Sequence, residues 1–241
     1  SDGIYSYTFT ATREGKYVIK ASGKDFSQNV ATKTLTFTID RTKPVITINV
    51  NKPYVNTAFT PKITTGSSDD IIEKVLINGV SFDPHNLPML SVNQQYVIGA
   101  VAKDKAGNIS TPAIVTFILD TIKPKINVSG LIQSFFYASD VNPNITFEDL
   151  NLLNSSMTLN GSAYTNKTIS KEGVYDLKLF SSDKADNINE QLIHFVIDKS
   201  SPSIEFKYPL NNKTFNTMIK PLLITQSKYG LDTISMFLDG E

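Results

Sequence analysis

The feature that most constrains this chain is a string written three times. Phe37-Thr38-Ile39-Asp40-Arg41-Thr42-Lys43-Pro44 returns as Phe117-Ile118-Leu119-Asp120-Thr121-Ile122-Lys123-Pro124. It returns again as Phe195-Val196-Ile197-Asp198-Lys199-Ser200-Ser201-Pro202, so the aspartates stand 80 and 78 residues apart. Apolar residues alternate after each proline: Val45, Ile46 and Ile48, then Ile126 and Val128, then Ile204 and Phe206. A second matched block lies upstream. Tyr17-Val18-Ile19-Lys20-Ala21 aligns with Tyr96-Val97-Ile98-Gly99-Ala100 and with Tyr175-Asp176-Leu177-Lys178-Leu179. It runs on to Asp25 and Asn29, Asp104 and Asn108, Asp183 and Asn187, each step 79 residues. Propeller blades of ~40–50 residues, and solenoid repeats that are usually shorter, do not fit this period. A module near 79 residues buries enough apolar surface to fold alone, with limited stability.

A third mark sets the phase. Asn78-Gly79, Asn160-Gly161 and Asp239-Gly240 recur, with Asp2-Gly3 in the same position of the repeat. Such dipeptides supply the positive φ angles of a type I′ hairpin turn. The expected organisation is the C-terminal half of a module over 1–41, complete modules over 42–121 and 122–199, and the N-terminal half of another over 200–241. The chain thus reads as a segment cut from a longer array.

The matched blocks have period two. In Tyr17-Ile19-Ala21 and Tyr175-Leu177-Leu179 the larger apolar residues share one parity and Lys20 and Lys178 take the other, which is the pattern of an antiparallel strand with one buried face. The turn residues Asp104-Lys105-Ala106-Gly107-Asn108 join this strand to the one ending at Phe117 and Leu119 as a hairpin. Pro61, Pro143 and Pro221 precede strand-like runs, where a missing N–H is tolerated. About seven short strands per module, with no helical apolar stripe, predict an all-β chain of tandem immunoglobulin-like β-sandwich modules, with a fibronectin-III variant left open. Short linkers closed by proline predict modules joined end to end as a rod.

Composition removes whole classes of function. Lys+Arg and Asp+Glu are equal at 23 each, so no net field draws the chain to nucleic acid or anionic lipid. Cysteine is absent, which removes disulfides, thiolate nucleophiles and cysteine-ligated zinc, and tryptophan is absent too. No apolar run approaches the ~18–20 residues of a membrane-spanning helix.

Asp-Lys-Ala-Gly-Asn followed by Phe-x-x-Asp-x-x-x-Pro resembles the tandem bacterial immunoglobulin-like domains of large surface proteins and adhesins. The matches fall at 25–48, 104–128 and 183–206. The first copy departs with Asp25-Phe26-Ser27-Gln28-Asn29, and the third has Asp186 in place of Gly107. The resemblance implies an extracellular protein of the bacterial surface or wall, with the array as a non-catalytic stalk or adhesive surface. Its partners would be neighbouring modules of the same chain and a host protein or glycan. The alternative is an accessory binding module of a secreted polysaccharide-degrading enzyme.

The resemblance also raises calcium, which some arrays of the family hold near module junctions and which takes six to eight oxygen ligands. No cofactor is required by the sequence. The candidate ligands are Asp40, Asp120 and Asp198 at strand ends, with Asp25, Asp104, Asp183, Asn108 and Asn187, and also Asn29, in the preceding loops. Turn capping accounts for the same residues, since Asp and Asn side chains bond nearby backbone groups and every module needs its turn. Catalysis finds little to work with: His85 sits in an apparent loop, His194 on an outer strand face, and Asp69-Asp70 and Glu148-Asp149 read as solvated loop charges. Tyr5, Tyr7 and Phe9 alternate as a half-buried strand does, with sugar stacking the alternative.

Overall fold

The structure, a computed structural model, describes Ile4 and residues 6–239. It contains strands, turns and no helix among the described residues. Two units are distinguished, Ser1–Thr121 and Ile122–Glu241, and each is taken by itself.

The first unit opens with β1 (Gly15–Lys24) and β2 (Val30–Ile39), an antiparallel hairpin in register from Gly15 opposite Ile39 to Lys24 opposite Val30. Then come β3 (Ile46–Ile48), β4 (Tyr54–Val55), β5 (Ile63–Thr65), β6 (Ile71–Ile77), β7 (Val80–Phe82), β8 (Gln94–Lys103) and β9 (Ala113–Leu119). β3 and β5 pair as a ribbon, and the others form a sheet of order β4-β9-β8-β6-β7. All of these pairings are antiparallel except that of β4, which runs parallel to the end of β9. The alternation read from the sequence lands where it should. Tyr96, Ile98 and Ala100 of β8 and Phe117 and Leu119 of β9 are buried, and Ile46, Ile48 and Ile63 of the ribbon pack against them.

The second unit repeats the plan with β10 (Lys125–Ser129), β11 (Phe135–Tyr137), β12 (Asn144–Glu148), β13 (Leu152–Leu159), β14 (Ser162–Ala163), β15 (Gly173–Asp183) and β16 (Ile188–Ile197). β10 pairs with β12, and the second sheet has the order β11-β16-β15-β13-β14. Leu177, Leu179, Ile193, Phe195 and Ile197 close the core from this sheet. Each set of seven strands is the expected sandwich. After it come β17 (Ser203–Tyr208) and β18 (Leu222–Gln226), an antiparallel ribbon with its apolar residues largely exposed.

Local chemistry explains the turns. Asn78 and Gly79 have φ of 49° and 81°, and Asn160 and Gly161 have 48° and 81°, as a type I′ hairpin requires. The Asn side chains add a rung to the ladder. Asn160 Oδ1 accepts the Asp176 N–H at 2.8 Å and its Nδ2 donates to the Val174 carbonyl at 3.0 Å; Asn78 Oδ1 likewise accepts the Val97 N–H. Asp2-Gly3 and Gly240 of the fourth turn lie outside the described residues.

One strand expectation fails. Tyr7 and Phe9 lie in irregular chain and are 92% and 58% exposed, with Phe9 only touching Phe37 at a ring separation of 6.3 Å. Alternation alone does not make a strand where no neighbouring edge is supplied. Tyr5 lies outside the described residues.

Candidate functional site in the loops and linkers

The candidate residues fall into two places, the loop between each long hairpin pair and the strand end that follows it. In the β15–β16 loop Asp183 is fully buried. Its Oδ1 accepts the Ala185 and Asn187 N–H groups, each at 2.8 Å, and its Oδ2 accepts the Asn187 side-chain NH₂ at 2.7 Å. The backbone closes the same loop from Asp183 N–H to Asn187 O at 3.1 Å. Asp104 repeats this with Asn108, through the backbone N–H and the side-chain NH₂, both at 2.8 Å. Asp25 repeats it with Asn29, both at 2.9 Å. The fixed Asp-x-x-x-Asn spacing is therefore a side-chain clasp. The Asn29 and Asn108 amides hold the Asp25 and Asp104 carboxyls below the usual carboxylate range, because each donates to the ionised form.

The three loops need one residue in the left-handed region, and they fill it differently. Gly107 has φ 93°, whereas Gln28 and Asp186 each have φ 69°. Glycine takes this conformation at no steric cost, so the departures from Asp-Lys-Ala-Gly-Asn put mild strain in the first and third loops.

Two of the three strand-end aspartates, Asp40 and Asp198, are turn residues too. Asp40 Oδ1 accepts the Thr42 N–H at 2.9 Å, and Asp198 Oδ1 accepts both the Ser200 N–H and its hydroxyl. Asp120 is buried, and its N–H donates to the Val55 carbonyl at 2.9 Å, as the Asp198 N–H does to Tyr137 O. Within the first unit the two places meet. The Asn108 NH₂ that clasps Asp104 also donates to the Asp40 carbonyl at 3.0 Å, fastening the β8–β9 loop to the strand end 68 residues earlier. In the second unit Asn189 Nδ2 reaches back in the same sense to the Pro124 carbonyl, at 2.8 Å.

Several acidic residues and both histidines complete the survey. Asp149, expected to be a solvated loop charge, is half-buried, and one of its carboxylate oxygens lies within 4.8 Å of one of Asp183. Its Oδ1 accepts the Asn151 N–H at 2.7 Å, which turns it toward its own loop. Glu148 is exposed, Asp70 is half-buried, and Asp69 is exposed and pairs with Lys105 at 3.0 Å. His194 lies on the outer face as expected, with Nδ1 2.8 Å from Asp176 Oδ1, and His85 is exposed in a turn.

One recurrent group escaped the sequence reading although its signal was present. Tyr17, Tyr96 and Tyr175 each donate the phenol to the carbonyl four residues upstream: Arg13 at 2.8 Å, Val92 at 3.1 Å and Lys171 at 2.7 Å. Each ring stacks on the phenylalanine of the next strand, Phe37, Phe117 or Phe195, with centroids 5.1–5.5 Å apart.

Comparison with known proteins follows from this geometry. Residues 2–72 match the family model of the bacterial Ig-like domain (group 3). No curated protein matches the chain. Among solved structures, the chain is similar to the fibronectin(III)-like modules of CbhA from Clostridium thermocellum, at 12% identity and a TM-score of 0.34, covering 64% of this chain and 94% of that one. It is also similar to a tetra-tandem repeat in the extending region of a large adhesion protein, at 14% identity and a TM-score of 0.32, covering 80% of this chain and 60% of that one. A third similarity is to a putative membrane anchored protein from Corynebacterium diphtheriae, at 11% identity and a TM-score of 0.24, covering 80% and 62% of the two chains. The chain is a tandem array of immunoglobulin-like modules, and its segment 2–72 matches the bacterial Ig-like domain family.

Proposed function

We propose that this chain is a non-catalytic spacer and display segment of a bacterial cell-surface or secreted protein. The observation that carries the reading is what the recurrent polar residues do. Asp25, Asp104 and Asp183 with their asparagines clasp loops, and Asn108 ties its loop to the Asp40 carbonyl. A polar set that recurs once per module and is consumed by turns and linkers fits a chain whose work is to hold modules in sequence. The recurrent chemistry of the repeat is thereby spent on geometry, which leaves exposed loops and strand faces for a host protein or glycan.

In this reading the loop aspartates act as caps and need no calcium, because their oxygens already accept two or three N–H donors each. Small-angle scattering and thermal melting of the full chain, each recorded with millimolar Ca²⁺ and then with EDTA, test both parts together. The expected result is an extended scattering profile and a melting curve that neither addition moves. A globular profile would sink the spacer role. A calcium-dependent rise in melting temperature that EDTA reverses would replace the capping role with a cation.

A further inference from the structure

The outer sheet faces of the two complete sandwiches differ where the repeat is otherwise kept. In the second unit β13, β15 and β16 lie side by side, and their outward side chains form rows across the sheet. Ser156, Phe180 and Glu190 make one row, and Thr158, Lys178 and Leu192 make the next. Leu177 and Leu179, which alternate with these positions on β15, point into the core. The outward side chains line a groove of about 540 Å³. The corresponding positions of the first unit read Lys74, Val101 and Pro112, then Leu76, Gly99 and Ile114. In hairpin β1–β2 the counterparts of Lys178 and Phe180 are Lys20 and Ser22. The repeated fold therefore does not require an outward aromatic, since valine and serine serve elsewhere.

The polar atoms of this groove are uncommitted, unlike those of the clasps and caps. Ser156, Thr158, Lys178 and Glu190 make no side-chain hydrogen bond or ion pair among the described residues. One row further on the polar groups are already matched, with His194 Nδ1 2.8 Å from Asp176 Oδ1. The groove thus offers an ammonium that only donates, a carboxylate that only accepts, and two hydroxyls that do both. Phe180, partly buried, and Leu192, 53% exposed, supply its apolar surface. Strand addition has no place on this floor, because β15 is paired along both edges. Recognition there falls to side chains.

We propose that this face of the second sandwich binds a neutral oligosaccharide, with Phe180 as the stacking platform. As a site it rests on the display role proposed above, since a spacer alone needs no ligand. A sugar ring has an apolar face of C–H groups, which suits an aromatic ring, and a rim of hydroxyls that each donate and accept. Lys178, Glu190, Ser156 and Thr158 meet that rim from around the platform. One positive and one negative side chain leave the groove without net charge, so it has no field that favours an acidic or a basic chain. Its volume lies in the range of small-ligand sites, which suits a short saccharide segment. The first sandwich lacks both the platform and the Lys178–Glu190 combination, and it does not bind.

The test is a titration of the isotopically labelled full chain, read by amide NMR shifts. The probes are neutral hexasaccharides of glucose, mannose, galactose and N-acetylglucosamine, each α- and β-linked. At least one probe should give saturable shifts centred on the rows of Phe180 and Lys178, with β8 and β9 unmoved. Phe180→Ala should weaken binding of that probe about tenfold. Ile114→Ala, on the matching face of the first sandwich, should leave it unchanged. Amide protection in β15 separates a lost platform from a damaged sheet, and Lys178→Ala, at an exposed position, should weaken binding as well. Four outcomes would each overturn the proposal: no saturable response to any probe in the millimolar range, shifts centred elsewhere, full affinity in both Phe180→Ala and Lys178→Ala, or the same shifts from a mixed peptide digest and from none of the sugars. The spacer role would survive all four, because an extended scattering profile does not depend on the groove.

Discussion

Hairpin β1–β2 and hairpin β15–β16 have the same pairing, the same Asp-x-x-x-Asn clasp and the same stacked Tyr–Phe pair. What differs is burial. Leu177 and Phe195 are fully buried in the second hairpin, while Ile19 and Phe37 of the first are only partly buried. Hairpin geometry is thus a local property of these sequences, set by alternation and the clasp. Core formation depends on residues from the other half of a module. The comparison separates what a segment can build by itself from what only a whole module supplies, and it predicts unequal responses to the same substitution.

The largest contrast is expected from Leu177→Ala against Ile19→Ala. The first empties a closed core and should cost about 3 kcal/mol, whereas the second trims a half-open face and should cost less than ~1 kcal/mol. Hydrogen exchange reads both locally, through the protection of β15 and of β1. Equal losses would mean that β1–β2 already sits in a complete core, which would break the comparison.

A smaller effect separates the two complete modules. Ser181 is fully buried on β15, and its hydroxyl has no hydrogen-bond partner among the described residues. The equivalent in β8 is Ala102, also fully buried. Leaving a hydroxyl unpaired costs free energy that a methyl does not, so Ser181→Ala should stabilise the second sandwich by about 1 kcal/mol. Raised protection of β15 and β16, with β8 unchanged, is the expected exchange pattern. A loss of stability would show that the hydroxyl has a partner of its own.

The legibility of these features in the sequence follows their range. The β15–β16 hairpin could be read from Tyr175, Leu177 and Leu179 because alternation is local, and the Asn160-Gly161 turn because φ demands are local. The Asn108 bond to the Asp40 carbonyl could not, since it joins residues 68 apart and leaves no mark in composition. Asp149 looked solvated because nothing in sequence brings it near Asp183. Tyr7 and Phe9 looked like a strand because alternation says nothing about whether an edge is available. The tyrosine bond was readable: Tyr17, Tyr96 and Tyr175 recur at the repeat period, and a buried phenol seeks a nearby carbonyl.

The smallest expected effect concerns acid, and it tests whether the clasp works alike in both contexts. The Asn108 amide holds the Asp104 carboxyl below its ordinary value. A carboxyl whose folded pKa is depressed contributes stability that is fully present above its unfolded pKa, near ~4, and is lost as pH falls through the folded value. Asn108→Ala removes the side-chain part of that interaction. The stability difference between the unmodified chain and Asn108→Ala should therefore be constant above about pH 5 and shrink as pH falls below ~4. Urea unfolding across a pH series measures it. Asp25 is depressed by Asn29 in the same direction. Because β1–β2 has no closed core, Asn29→Ala should alter exchange within that hairpin and leave the main unfolding transition where it was. A shift of the main transition would show that the hairpin unfolds together with the module that follows it.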